Sequence, residues 1–159
     1  MRIDAIHRRH KGDDRVLARP FLRNAEGFFR GTEELLPWFP DNALHFMAIA
    51  TELALKAYLL SRGISDDWNR IHVRHDLSKA LKSATRAGFK EGSPGLARVA
   101  AVLSPYYKSH SIPDMPAELA ASIDWTAAHE LISKLLRDVR VEVYRELARV
   151  RPEYLVCPV

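Results

Sequence analysis

Histidine, carboxylate and lysine side chains held against one another are the groups that move protons, and this chain concentrates several in two short stretches. In "ALHFMAIATELALKAYLLSRG", Ala43 to Gly63, an apolar run is interrupted by His45, Glu52 and Lys56. At ~100° per residue these three fall within roughly 40° of one another on a helix, a narrow polar stripe on an apolar cylinder. Such a stripe faces solvent, a cleft or a second copy of the chain. Glu52 before Lys56 at i,i+4 is also the favourable order for a plain structural pair, worth about 0.2–0.5 kcal/mol when exposed. Downstream, "HDLSKAL" sets His75 and Asp76 at the start of a helix. Asp76 suits the cap, accepting amide hydrogen bonds and complementing the helix dipole. His75 either packs over the preceding helix near Glu52 or serves as an acid/base.

Two further groups have nucleic-acid chemistry. "PYYKSH" combines Tyr106 and Tyr107, rings on which bases stack, with the charge of Lys108. The final helix carries Lys134, Arg137, Arg140, Arg145 and Arg149 away from its apolar face. With the upstream "HRRHK", these would form a basic surface for phosphates, or simply a solvated face. His7, His10, Asp13 and Asp14 include metal-binding types without cysteine support, and no cofactor is expected. No Walker loop, dinucleotide turn or nucleophile elbow occurs.

These residues need elements to hold them. A chain of 159 residues with 47% hydrophobic and 28% charged residues suffices for one domain with a real core. The net charge of +4 permits acidic or nucleic-acid partners without requiring them. One cysteine, Cys157, excludes an internal disulfide. No secretory signal is apparent at the N-terminus, and a cytoplasmic location is the expectation. The run Ala43–Gly63 is long enough to span a bilayer, but each charge near the bilayer centre costs about 2.5–3.5 kcal/mol. A helix buried in protein is expected instead, and no membrane association.

Residues 1–17 read as a basic N-terminal arm, 18–150 as the helical domain and 151–159 as a tail. The spacing of apolar residues predicts a first helix from Pro20 to Leu36 and a second from Asn42 to Arg62, capped by Asp41 and closed by Gly63. "ISDDWNRIHVR" reads as a loop. A third helix starts at His75 or Asp76 and ends at Gly88; a fourth opens at Pro94 and is stopped by Pro105. "SPYYKSHSIPDMPAEL" reads as a long loop, and Asp124 caps a last helix from Trp125 to about Arg149. His129, at the edge of that helix's apolar face, is expected to be packed. Together these predict an all-α protein, an antiparallel bundle of four to five helices.

The pattern "ELALKAYLLSRG", a polar loop, then "HDLSKAL" resembles HEPN-type domains over Glu52 to Leu81. The resemblance implies a four- to five-helix α domain that forms homodimers. It implies one of two roles: a metal-independent ribonuclease binding RNA in stress, defence or toxin–antitoxin systems, or a non-catalytic interaction module that partners a nucleotidyltransferase or other protein. The family's ribonuclease motif is Arg, four to six residues, then His, and "RIHVRH" supplies Arg70 and His75. On that reading His75 is the general acid/base for attack by a 2′-hydroxyl and Arg70 stabilises the phosphate charge. Glu52 and Lys56 orient them, and Asp76 holds the helix start.

Overall fold

A computed structural model describes residues 13–90 and 93–155. The chain is all-α, a packed arrangement of helices with no strand among the described residues. In order the helices are α1 (Ala18–Phe29), α2 (Thr32–Leu35), α3 (Pro40–Ser61), α4 (Asp66–Trp68), α5 (Leu77–Arg86), α6 (Pro94–Lys108), α7 (Ala117–Ala121) and α8 (Trp125–Val150).

α3 is the central element, touching α1, α2, α5, α6 and α8. Its alanines at 43, 48, 50, 54 and 57 are fully buried, and such small side chains let neighbouring backbones approach closely. Met47, Leu55, Leu59 and Leu60 fill the remaining space at zero exposure, each worth about 1.5–3 kcal/mol of burial. By length and composition α3 is apolar enough to cross a membrane, and 78% of its most apolar stretch is buried within this fold. α8 contributes Ala128, Ile132, Leu135, Leu136, Val139, Val143 and Leu147 to the same core, along the stripe expected from its period. Asp124 caps it, accepting from the Thr126 and Ala127 amides.

Several boundaries differ from expectation, each for a local reason. The first predicted helix is broken at Gly31, which adopts φ +81°, a left-handed conformation that glycine takes freely. Thr32 then starts α2 with its hydroxyl on the Phe29 carbonyl at 2.7 Å. Asp41 is not the cap of α3: Phe39 is, without a side-chain bond, and Pro40 fills the first turn where its missing N–H costs nothing. Asp41 sits in that turn and complements the dipole instead.

The predicted loop after Gly63 contains α4, capped by Ser65, and a single π-helical turn, Asn69–Val73. Asp76 does cap α5, as expected. Pro105 does not stop α6, which continues to Lys108. The only intrahelical bond proline removes there is to the carbonyl of Ala101, an exposed residue, while Leu103 and Tyr107 anchor the turn in the core. The long loop is correspondingly shorter and includes α7.

Residues 13–17 of the expected arm form a 3-10 turn, Asp14–Leu17, against α3. The rest of the arm, with His7, His10 and "HRRHK", lies outside the described residues, as does Cys157.

Candidate functional site

The polar stripe of α3 is closed over by side chains from two other elements. α6 crosses it with Ser104, Tyr107 and Lys108, which share one face at i, i+3, i+4 spacing. The turn between the π-helical segment and α5 brings His75 and Asp76. The centre of the assembly is the Glu52 carboxylate, whose side chain is only 5% exposed.

Three donors converge on Glu52. The Lys56 ammonium donates to Oε1 at 2.5 Å, and the Tyr107 hydroxyl donates to Oε2 at 2.5 Å. Nδ1 of His75 lies 3.0 Å from the same Oε2. An ionised carboxylate only accepts, so Nδ1 carries the proton in that contact and Nε2 is left as the basic nitrogen. The His75 side chain is 60% exposed, so Nε2 is open to an incoming group. A buried carboxylate that fixes the tautomer and orientation of a solvent-facing imidazole is an arrangement suited to general acid/base work.

Tyr107 is buried, and burial is the main reason its phenol is pushed above the usual range; the hydrogen bond to Glu52 and that residue's charge push the same way. It therefore stays a hydroxyl donor. Its ring is the floor of the site. His75 stands edge-on to it at 5.9 Å and 83°, and His45 does so from α3 at 5.8 Å and 62°.

Asp76 forms a second anchored carboxylate beside the first. Oδ1 accepts from the Lys79 amide at 3.0 Å and from the Ser104 hydroxyl at 3.2 Å, and Oδ2 accepts from Lys108 at 3.2 Å. Ser104 in turn accepts the Leu77 amide at 2.9 Å, so α5's first turn is tied to α6. Burial raises the Asp76 pKa, but the Lys79 amide and the Lys108 ammonium outweigh it, and the net direction is down.

The structure thus gathers Glu52, Lys56, His75 and Tyr107 into one cluster and Asp76 and Lys108 into a second, the two adjoining through the chain neighbours His75–Asp76 and Tyr107–Lys108. It does not bring Arg70 there. Arg70 extends from the π-helical turn, 73% exposed, with its guanidinium 3.8 Å from Asp67. The other arginine of that turn, Arg74, is exposed and immediately precedes His75 at φ +54° and ψ −119°, a conformation that L side chains rarely adopt.

Tyr107, expected to stack bases, is buried with its hydroxyl on Glu52, and Tyr106 is half-buried against the core. Arg137 hydrogen-bonds Ser133 at 2.8 Å on the outer face of α8. Its basic neighbours are largely neutralised: Lys134 by Asp138, Arg140 by Glu26 at 2.7 Å, Arg145 by Glu142 at 2.5 Å and Arg149 by Glu146 at 2.6 Å. His129 is packed as expected, stacked on Phe29 at 4.3 Å with Nε2 3.0 Å from the Thr32 hydroxyl. Among the described residues no group of three or more histidine, cysteine or acidic side chains is arranged to hold a metal. Clefts of about 330 Å³ beside Phe89 and Val141, and about 460 Å³ beside Leu81 and Ala97, are lined by none of the network residues.

Nothing in the sequence marks Ser104 as part of the site, and the composition of "PYYKSH" points Tyr107 and Lys108 toward nucleic acid, whereas in the fold they bond Glu52 and Asp76. Their shared helical spacing is the signal, visible only once Pro105 is allowed inside the last turn of a helix. No protein-family model, curated protein or solved structure matches this chain.

Proposed function

We propose that this chain is a HEPN-like helical protein that binds single-stranded RNA and cleaves it without a metal ion. Its five longest helices, α1, α3, α5, α6 and α8, would then be the antiparallel bundle implied by the resemblance. The observation that carries the reading is the His75–Glu52 contact: Nδ1 held at 3.0 Å by a buried carboxylate, with the ring open to solvent. His75 takes the proton of the attacking 2′-hydroxyl through Nε2. Glu52 is its positioning residue, and Lys56 and Tyr107 hold Glu52. Arg74 and Arg70, both exposed on the turn that carries His75, are the cations available to the phosphate. A cytoplasmic stress or defence setting, toxin–antitoxin systems included, enters with the resemblance.

The test is cleavage of a panel of single-stranded RNAs in the presence of a chelator. Wild type should cut, and His75→Ala should lose activity by about 10²-fold or more with little change in melting temperature, because the side chain is largely exposed. Wild type inert across the panel, or His75→Ala fully active, overturns it.

A second reading has its own observation. Trp38, 78% exposed, adjoins exposed Phe39 on the connector before α3, and Phe28 is exposed on α1. Large aromatics left in water favour an interaction module, a homodimer or the partner of a nucleotidyltransferase or other protein, in which the Glu52 network is structural. Trp38→Ser with Phe39→Ser should then convert a dimer to a monomer in sedimentation, and no variant of His75 should change any activity.

A further inference from the structure

We propose that His45 is the second proton-transfer group of this site, the general acid that protonates the leaving 5′ oxygen. The inference rests on the ribonuclease reading and deepens it.

Attack by a 2′-hydroxyl needs two proton transfers, because a ribose 5′-alkoxide is a poor leaving group without one. The side chains around His75 are mostly committed. The Tyr107 hydroxyl and Lys56 ammonium donate to Glu52, and Lys108 donates to Asp76. His45 is different. It is half-buried, its contacts are to the rings of Phe46 and Tyr107, and neither of its nitrogens has a hydrogen-bond partner among the described residues. It lies two helical turns before Glu52 on the same stripe of α3. Tyr107 touches both histidines: its hydroxyl is fixed on Glu52, which His75 also contacts, and its ring meets both imidazoles edge-on.

The chemistry balances with these groups alone. The 2′-oxygen forms a bond to phosphorus and gives its proton to Nε2 of His75. The bond between phosphorus and the 5′ oxygen breaks, its electron pair leaving on that oxygen, which takes a proton from the His45 imidazolium. The products are a 2′,3′-cyclic phosphate and a free 5′-hydroxyl. The histidines then exchange protons with solvent and return to their starting forms.

The ionisable groups around His45 are Asp41 one turn earlier on α3, Tyr107 from α6 and, across that ring, Glu52 and His75. α1 faces it through Phe28 by way of Phe46.

The experiment compares wild type, His45→Ala, His45→Gln and His75→Ala on a short RNA and on a uridine 3′-(4-nitrophenyl phosphate), whose leaving group needs no proton. On RNA, both His45 variants should lose about 10²-fold and the alkaline limb of the rate profile. On the aryl ester they should return to within a few-fold of wild type, while His75→Ala stays inactive on both. His45 variants that cut RNA like wild type, or that are equally impaired on the aryl ester, overturn the proposal while leaving the ribonuclease reading intact. Wild type inactive on both substrates overturns that reading, and this inference with it. Matching melting curves for the two His45 variants separate lost chemistry from lost folding.

Discussion

Nδ1 of the exposed His75 rests 3.0 Å from Oε2 of the buried Glu52, joining the most hidden charge of α3 to a ring in solvent. A buried carboxylate is stable only while its partners compensate its charge, and here Lys56, itself 9% exposed, supplies the opposite charge at 2.5 Å. Removing one member of such a pair leaves an uncompensated buried charge, at a cost of about 3–5 kcal/mol. Glu52→Ala should therefore lower the unfolding free energy measured by urea denaturation by that order. Glu52→Gln with Lys56→Met should recover much of the loss, because no lone charge remains. A double-mutant cycle that comes out additive would show the two side chains do not act as a pair.

Tyr107→Phe isolates the second donor. The ring stays as the floor between His45 and His75, and only the hydroxyl on Glu52 is lost. A hydrogen bond to a charged group contributes about 1.5–3 kcal/mol, so chemical denaturation should show a loss of that size. An unchanged stability would mean that water replaces the hydroxyl at no cost.

The stripe on α3 was legible because Glu52 and Lys56 interrupt an apolar run, and burial is what makes an i,i+4 pair there more than a surface ornament. The pairing of His75 with Glu52 was also within reach, since the sequence places His75 at the start of α5, where it can pack over α3 near Glu52. Tyr107 escaped because Pro105 reads as a terminator, yet a proline in a helix's last turn removes only one bond, here to the carbonyl of Ala101, an exposed residue. Arg70, set beside His75 by the motif spacing, lies against Asp67 instead, because spacing along a chain implies proximity only in regular structure. The π-helical turn and the positive φ of Arg74 intervene between Arg70 and His75.

Asp76 gives the fold an acid-sensitive point. Its folded pKa is lowered, so the stability it contributes is complete above the ordinary carboxylate range and is lost as pH falls through the folded value. Asp13 and Glu146 are lowered as well and act in the same direction elsewhere. Asn caps a helix about as well as Asp, so Asp76→Asn should keep the Lys79 amide bond while losing the ion pair with Lys108. The variant should melt slightly below wild type at pH 7, and the gap should narrow at about pH 3. A gap that widens on acidification reverses the sign and removes Asp76 as the source.

Arg70→Ala should change stability by no more than about 0.5 kcal/mol, since an exposed pair at 3.8 Å contributes little. On the proposed ribonuclease reading, its effect on RNA cleavage is the informative measurement. A loss in kcat with the fold intact would mean that Arg70 reaches the phosphate only when RNA is bound. Wild-type kcat would leave that role to Arg74.

Arg74 is where stability and activity should part. Holding a non-glycine residue in so sparsely populated a conformation costs on the order of 1–3 kcal/mol. Glycine removes that strain but raises the entropy of the unfolded chain, a penalty of about 0.4–1 kcal/mol. The Arg74 side chain makes no ion pair or hydrogen bond among the described residues, and its backbone N–H bond to the Asn69 carbonyl at 2.9 Å does not depend on the side chain, so truncation forfeits nothing else in the fold. Strain relief is the larger quantity, and Arg74→Gly should raise the unfolding free energy by about 1 kcal/mol. If the arginine is retained for its charge beside His75, the same variant should cleave RNA more slowly despite its greater stability. Arg74→Lys should then restore part of the rate without the gain in stability. A glycine variant both more stable and fully active would show that the strain serves no part of the chemistry.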